Sequence, residues 1–368
     1  MSNIRVVSLR GSYEEMGYQY GTTMADEVRA NIEDYDRRFR DQAGLSRSDV
    51  DKWGRVYRES TAEYNSDIAV MLTALAEAAE VPTESIFALN ARTELLYGTG
   101  YSDDGCTALA VLGTHTAHGS TLIAQNWDWH PEQGPLSFLL STQDEEGFSV
   151  LTLAEAGMLA KAGLNSAGLG LTCNLLISDL DTAGPGVPFH IYLRGVLQSR
   201  TMSDAIKSVT NVRKVSSGNV LIADAAGEAI DLELTPGPFG RLLPSEGLIS
   251  HANHFDSGIG VQDKKAGSSA LTLLRAVRVR HLLEDHLRAR DVTDRDVHQA
   301  LSDHFSFPDA VCRHINPHDA PEDRVASVYS LVMDLSRLTL AITPYPVCEM
   351  PTETFSVDGS RIQSLITQ

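Results

Sequence analysis

Cys106 directly follows Gly105, and further along the chain stands Gln125-Asn126-Trp127-Asp128-Trp129. A thiol, two side-chain amides and a carboxylate can together carry out acyl chemistry, because a thiolate is a strong nucleophile toward a carbonyl carbon. A cysteine thiol is mostly protonated near neutrality, so some group must take its proton. A histidine can do this, as in papain-like enzymes, and His251, His254 and His314 are candidates among the 12 histidines. The other route uses the nucleophile's own α-amine, whose pKa of about 8 lies close to working pH. Cys106 is internal, so that route first requires scission of the Gly105–Cys106 bond. Glycine suits such a junction because it has no side chain and tolerates unusual backbone angles, which lets the thiol approach the carbonyl.

The surrounding residues say how these groups are held. Cys106 to Leu112 alternates like a strand, Gly113 to Gly119 reads as a turn, and Ser120 to Ala124 reads as a second strand. An antiparallel hairpin brings the start of one strand beside the end of the next, so Cys106 and the Asn126–Asp128 cluster should be neighbours.

Asp104-Gly105-Cys106-Thr107 followed by Gln125-Asn126-Trp127-Asp128 resembles the cleavage-site region of the acyl-coenzyme A:isopenicillin N acyltransferase family. These are autoproteolytic N-terminal-nucleophile (Ntn) hydrolases. Weaker likenesses are Leu9, Gly11, Gly17 and Gly21 near the start, and Val311-Cys312-Arg313-His314 and Ser327–Leu335 near the end.

The resemblance implies an α+β fold, an αββα sandwich of two antiparallel sheets between helical layers, with a helical N-terminal segment. It implies an N→S acyl shift at Gly105 and Cys106, leaving chains 1–105 and 106–368 packed as one composite domain. The mature enzyme would cleave or transfer the acyl group of a small amide through a Cys106 acyl-enzyme. In this reading Asp128 orients the new α-ammonium and Asn253 is the oxyanion asparagine, with Asn126 and Asn174 as further oxyanion or supporting amides. Trp127, Arg313 and Arg324 are substrate-binding candidates, the arginines because a guanidinium fork suits a carboxylate. No cofactor is implied, and acyl-CoA would enter as a co-substrate where transfer occurs. Two other readings compete: a papain-like Cys–His hydrolase without processing, and a non-catalytic binding relative of the fold.

Simpler roles stand beside these. Cys173, Cys312 and Cys348 read as small core residues. Trp127 and Trp129 read as packing residues before substrate walls, and Asn174 as a turn former. The histidine pairs His115/His118, His251/His254 and His314/His318 lack an HExxH pattern and no cysteines form a CxxC pair, so no metal is expected.

Thirty Lys and Arg face 49 Asp and Glu, a formal charge of −19. That acidity excludes a nucleic-acid or anionic-membrane partner, since both require basic surface. The N-terminus shows no signal-peptide core and no apolar run reaches membrane length, so a cytoplasmic protein with free thiols is expected. Oligomeric state is not legible.

Residues 1 to about 98 read as helical. A capping box at Ser12 and Glu15 opens a helix through Met16, Tyr20, Met24 and Val28. Helices follow over 48–64 and 66–79, then one from Pro82. A Gly/Ser/Asp-rich loop over 97–105 is a natural approach to a cleavage point. Further strands are expected at 136–142, 148–153, 158–164, 169–174, 219–224, 228–234, 248–251, 326–335 and 338–342. Helices are expected at 189–197, 202–209, 268–287 and 294–301. The third of these should show an apolar face of Leu271, Leu274, Val277 and Leu282.

Overall fold

The computed structural model describes residues 4–97, 105–266 and 271–362, so the expected loop before Gly105 lies largely outside the described residues. The chain opens with β1 (Val6–Arg10), which the helical reading of this region did not foresee. Then come α1 (Tyr13–Thr23), α2 (Ala25–Asp41), α3 (Arg47–Tyr64), α4 (Ser66–Ala78), α5 (Thr83–Asn90) and α6 (Arg92–Tyr97). The Ser12/Glu15 capping box is formed, but the helix it starts ends at Thr23, and Met24 is a junction to α2. Gly17 and Gly21 let α1 lie directly on α4. A Cβ at either would fall 2.3 Å from the Met71 carbonyl oxygen or 2.4 Å from that of Leu75.

The hairpin carrying Cys106 follows as β2 (Gly105–Val111) and β3 (Leu122–Trp129), with the polar cluster inside the second strand. Next are β4 (Ser137–Gln143), β5 (Ser149–Glu155), a short β6 (Gly163–Asn165) in place of the longer strand expected from Met158, and β7 (Leu169–Leu175). Helices α7 (Phe189–Gln198) and α8 (Met202–Thr210) lead to β8 (Gly218–Asp224), β9 (Ala229–Leu234), β10 (Gly240–Leu242) and β11 (Leu248–His251). The last part holds α9 (Thr272–Ala289), α10 (Asp294–Leu301), β12 (Ala326–Asp334), β13 (Thr339–Pro344), β14 (Glu353–Ser356) and β15 (Arg361–Ile362). Sequence reading missed β10, β14 and β15, each too short for a clear alternation.

The described strands form two sheets, ordered β1-β4-β5-β6-β7-β8-β9-β10 and β11-β2-β3-β12-β13-β14-β15. Every pairing is antiparallel except β1 with β4. The sheets meet face to face where β2 and β3 pack on β7. Helices α9 and α10 cover the outer face of the second sheet, and α7 and α8 cover that of the first. This is the α+β sandwich of the sequence reading. One apolar core runs through Leu9, Tyr20 and Leu89 of the N-terminal segment and Trp129, Leu139 and Leu171 of the rest. A smaller core between the second sheet and its helices holds Leu109, Ala124, Val279 and Leu283. No helix among the described residues is long and apolar enough to cross a membrane.

Helix α9 corrects one expectation. Leu274 and Val277 are about half exposed, and the buried face is Thr272, Arg275, Ala276, Val279, Leu283 and Leu287. A buried arginine on that face serves the site described next.

Candidate active site

Strand register decides which groups share a face. Gly105 pairs with Asp128, Cys106 with Trp127, and Thr107 with Asn126. Directly paired residues project to the same side of a sheet, and neighbours along a strand alternate. Cys106, Gln125 and Trp127 therefore face the first sheet, whereas Gly105, Thr107, Asn126 and Asp128 face the helical layer. The hairpin brings Cys106 and Asp128 close along the strands and places their side chains on opposite faces.

The backbone of Cys106 is gripped from three sides. Its N–H donates to Asn253 Oδ1 at 2.8 Å. Its carbonyl accepts from Arg275 Nη1 at 2.5 Å and lies 3.3 Å from Asn174 Nδ2. The Arg275 guanidinium also donates to Thr107 Oγ1 at 2.8 Å and to Asn253 Oδ1 at 2.6 Å. Asn253 thus accepts two bonds through its oxygen, while its amide nitrogen donates to the Leu175 carbonyl at 3.0 Å. Asn174 Nδ2 also reaches the carbonyls of His251 at 3.1 Å and Ala252 at 2.8 Å. In this chain both amides brace Cys106 and its neighbours.

Asp128 is buried behind the junction. Its Oδ1 accepts from Ser327 Oγ at 2.6 Å, and its Oδ2 lies 3.7 Å from Arg275 Nη1. Oδ2 has no hydrogen-bond partner among the described residues. A Cβ at Gly105 would come within 2.9 Å of that oxygen, so the glycine is needed for the close approach. Burial raises the Asp128 pKa, although Arg275, Ser327 and Arg313 oppose it. Asn126 donates to the Leu301 and Val311 carbonyls at 2.7 and 2.9 Å, tying β3 to the loop after α10.

On the thiol side lies a small cavity of about 30 Å³. Cys106, Gln125 and Trp127 line it together with Arg92, Lys161 and His190. Gln125 donates to the Cys173 carbonyl and accepts from its N–H at 3.2 Å, which joins the two sheets beside the thiol. Lys161 Nζ sits 4.2 Å over the Trp127 ring and 2.7 Å from Glu155 Oε1. Arg92 is 3.2 Å from the same carboxylate. Burial would push the Glu155 carboxyl up, but Arg92 and Lys161 outweigh it and hold it down at about 2. Burial lowers the Lys161 pKa, partly offset by Glu155. Burial drives the His190 imidazole well below its ordinary pKa, so it is neutral there.

Arg313 and Arg324, expected as substrate anchors, do not line this pocket. The Arg313 guanidinium pairs with Asp309 at 3.2 Å and sits on the Gly105–Asp128 side, and Arg324 Nε reaches the Asp319 carbonyl. Of the histidines considered as bases, His251 is held by Glu233 at 2.9 Å and the Ala252 carbonyl. His254 bonds Thr272 and Asp256, and His314 lies against Cys312, Cys348 and His304. Sequence reading missed Arg275, Arg92, Lys161 and His190, which come from three helices and a loop with no shared motif.

The family profile described as Acyl-coenzyme A:6-aminopenicillanic acid acyl-transferase matches residues 115–343, well over half of the chain. The chain belongs to this family. The matched span begins downstream of Cys106. The family places the protein among enzymes of acyl transfer or amide hydrolysis acting on small molecules. A relative from Emericella nidulans, the 40 kDa form of acyl-coenzyme A:6-aminopenicillanic-acid-acyltransferase, is 25% identical over 334 residues, covering 89% of each chain. Among solved structures, a mutant of the conjugated bile acid hydrolase from Clostridium perfringens matches with 13% identity and a TM-score of 0.48, over 70% of this chain and 97% of that one. Penicillin V acylase from Agrobacterium tumefaciens matches with 12% identity and a TM-score of 0.40, over 70% and 97%.

Proposed function

We propose that this protein is a self-processing cysteine amidohydrolase or acyltransferase of the Ntn type, with Cys106 as nucleophile. The observation that carries this reading is the three-sided grip on the Cys106 backbone, whose thiol side faces a pocket. A residue whose only task was packing would not need an asparagine oxygen on its N–H and a buried guanidinium on its carbonyl.

The Cys106 thiol attacks the Gly105 carbonyl, a thioester replaces the amide, and water releases the carboxyl end of residue 105. The freed α-amine takes over the place of the Cys106 N–H, with Asn253 Oδ1 as its acceptor. It then removes the thiol proton and returns it to the leaving amine of the substrate. Arg275 beside Asn253 disfavours a second positive charge, which keeps the amine basic but uncharged. Asp128, on the same face as Arg275 and 3.7 Å from it, limits that effect.

The two chains would stay together after scission, because β1 is paired in the first sheet and the N-terminal helices share its core. Trp127, Leu153 and Phe189 on the pocket wall suit an apolar acyl group. The acyl-enzyme passes to water or to an acceptor amine. Acyl-CoA and a penicillin-like amine, named for the Emericella nidulans relative, are one donor–acceptor pair to try.

Intact-mass measurement tests the reading. Wild type should appear as two chains, the second beginning at Cys106, and Cys106→Ala should remain whole. An active preparation with a single intact chain would exclude this mechanism and favour a Cys–His enzyme without processing. Incubation with N-acyl amino acids, with and without acyl-CoA plus amine, separates hydrolysis from transfer.

A further inference from the structure

Three side chains of one loop region and a fourth from 34 positions further on converge on the helical side of the second sheet. His304 follows α10, Cys312 and His314 lie in the loop after it, and Cys348 lies in the loop after β13. Their ligand atoms all lie within 4.8 Å of one another. His314 Nε2 is 3.5 Å from Cys312 Sγ, 3.5 Å from Cys348 Sγ and 3.1 Å from His304 Nε2. A tetrahedral zinc ion with Zn–N of about 2.0–2.1 Å and Zn–S of about 2.3 Å sets N···S edges near about 3.5 Å and N···N edges near about 3.3 Å. The three separations from His314 Nε2 are close to those edges, and the remaining ones, within 4.8 Å, need only side-chain adjustment to close on an ion. We propose that His304, Cys312, His314 and Cys348 form a four-coordinate zinc site.

The donor set selects the metal. Two thiolates and two imidazoles suit zinc, whereas magnesium and calcium require oxygen ligands. Binding releases the two thiol protons to solvent, and the two thiolates balance the charge of the dication. Protein fills all four positions, so the site holds structure and leaves no place for an activated water.

Its location gives it a task. Cys312 lies between Val311, whose carbonyl accepts from Asn126, and Arg313, whose backbone N–H donates to Ser327 Oγ at 2.9 Å. Ser327 in turn donates to Asp128. A metal that joins the 304–314 loop to Cys348 would fix the layer behind the Gly105–Cys106 bond. The inference does not depend on the mechanism assigned to Cys106.

The test uses the full chain carrying Cys106→Ala and Cys173→Ala, so that only Cys312 and Cys348 can supply thiolates. Protein from zinc-supplemented culture should contain about one zinc per chain by elemental mass spectrometry. Exchange for cobalt(II) should give a thiolate-to-metal charge-transfer band and strong tetrahedral d–d bands. Cys348→Ser should halve the charge-transfer intensity and weaken zinc binding by at least about tenfold. Should that variant fail to fold, direct titration of the reduced parent chain with zinc and cobalt decides alone. Folded, reduced parent chain that takes up neither ion overturns the proposal. A Cys312–Cys348 disulfide in protein isolated under thiol-blocking conditions overturns it too.

Discussion

The side-chain oxygen of Asn253 accepts the backbone N–H of Cys106 at 2.8 Å, across 147 positions of sequence. That bond ties the end of β11 to the head of β2 at the atom that would become the free amine. Asn253→Ala removes the acceptor and also strips a partner from Arg275. A hydrogen bond to a charged group contributes about 1.5–3 kcal/mol, so the rate of chain scission should fall by roughly ten- to a hundredfold. Intact mass against time measures it, with circular dichroism as the check on folding. An unchanged rate would remove Asn253 from the machinery.

Arg275→Ala should be costly to stability as well as to processing. The guanidinium is buried and faces Asp128 at 3.7 Å. Removing it leaves the buried carboxylate with only the more distant Arg313 to oppose its charge, a loss of up to about 3–5 kcal/mol. Urea unfolding should show a loss of unfolding free energy of that size, read as a lower midpoint. The double change Arg275→Ala with Asp128→Asn should recover part of the loss, and no recovery would show that the two do not interact.

Gly105→Ala addresses the junction itself. The added methyl meets Asp128 Oδ2 at 2.9 Å, so either the carboxylate or the strand must shift. Scission should slow by at least about tenfold, since a misplacement of the reacting atoms near an ångström can cost about a hundredfold. Asp128→Ala in the same chain should relieve the clash, read as a faster scission than Gly105→Ala alone.

The pH dependence of stability follows from His251. Burial by itself disfavours the charged imidazole, but Asp231 and Glu233 outweigh it and raise the pKa from 6.5 to about 9. The folded value lies above the unfolded one. The associated stabilisation is therefore complete below about 6.5 and is lost as pH rises through about 9. Glu233 also holds the backbone of Asp256 and Ser257, so the turn carrying Asn253 should loosen in the same range. The thermal midpoint should fall between these two pH values in the wild type and fall less in His251→Gln. Equal slopes would assign the loss to other groups.

The hairpin was legible because its strands alternate and end at a glycine-rich turn, and its register follows from that. The facing of Cys106 and Asp128 required that register, since proximity along strands does not state which side a group occupies. Helix α9 was misread because its outward leucines mimic a core stripe, while polar Thr272 and Arg275 are buried for the site's sake. Strand β1 was hidden by its five residues beside a strong helix start. Arg92, Lys161 and His190 meet only after folding, and so do His304 and Cys348 with Cys312 and His314. Short-range spacing carries no record of such meetings.

The parallel pairing of β1 with β4 also bears on how the protein can be made. Arg92 and Thr93, which form part of the pocket wall, come from the same N-terminal stretch as β1. A fragment expressed from Cys106 onward would leave β4 as an open sheet margin, with its hydrogen-bonding groups ready to recruit a second molecule. It should collect in insoluble material, and adding the missing stretch afterwards would have to compete with that self-association. Production in the cell must therefore begin as one continuous polypeptide, whatever division follows.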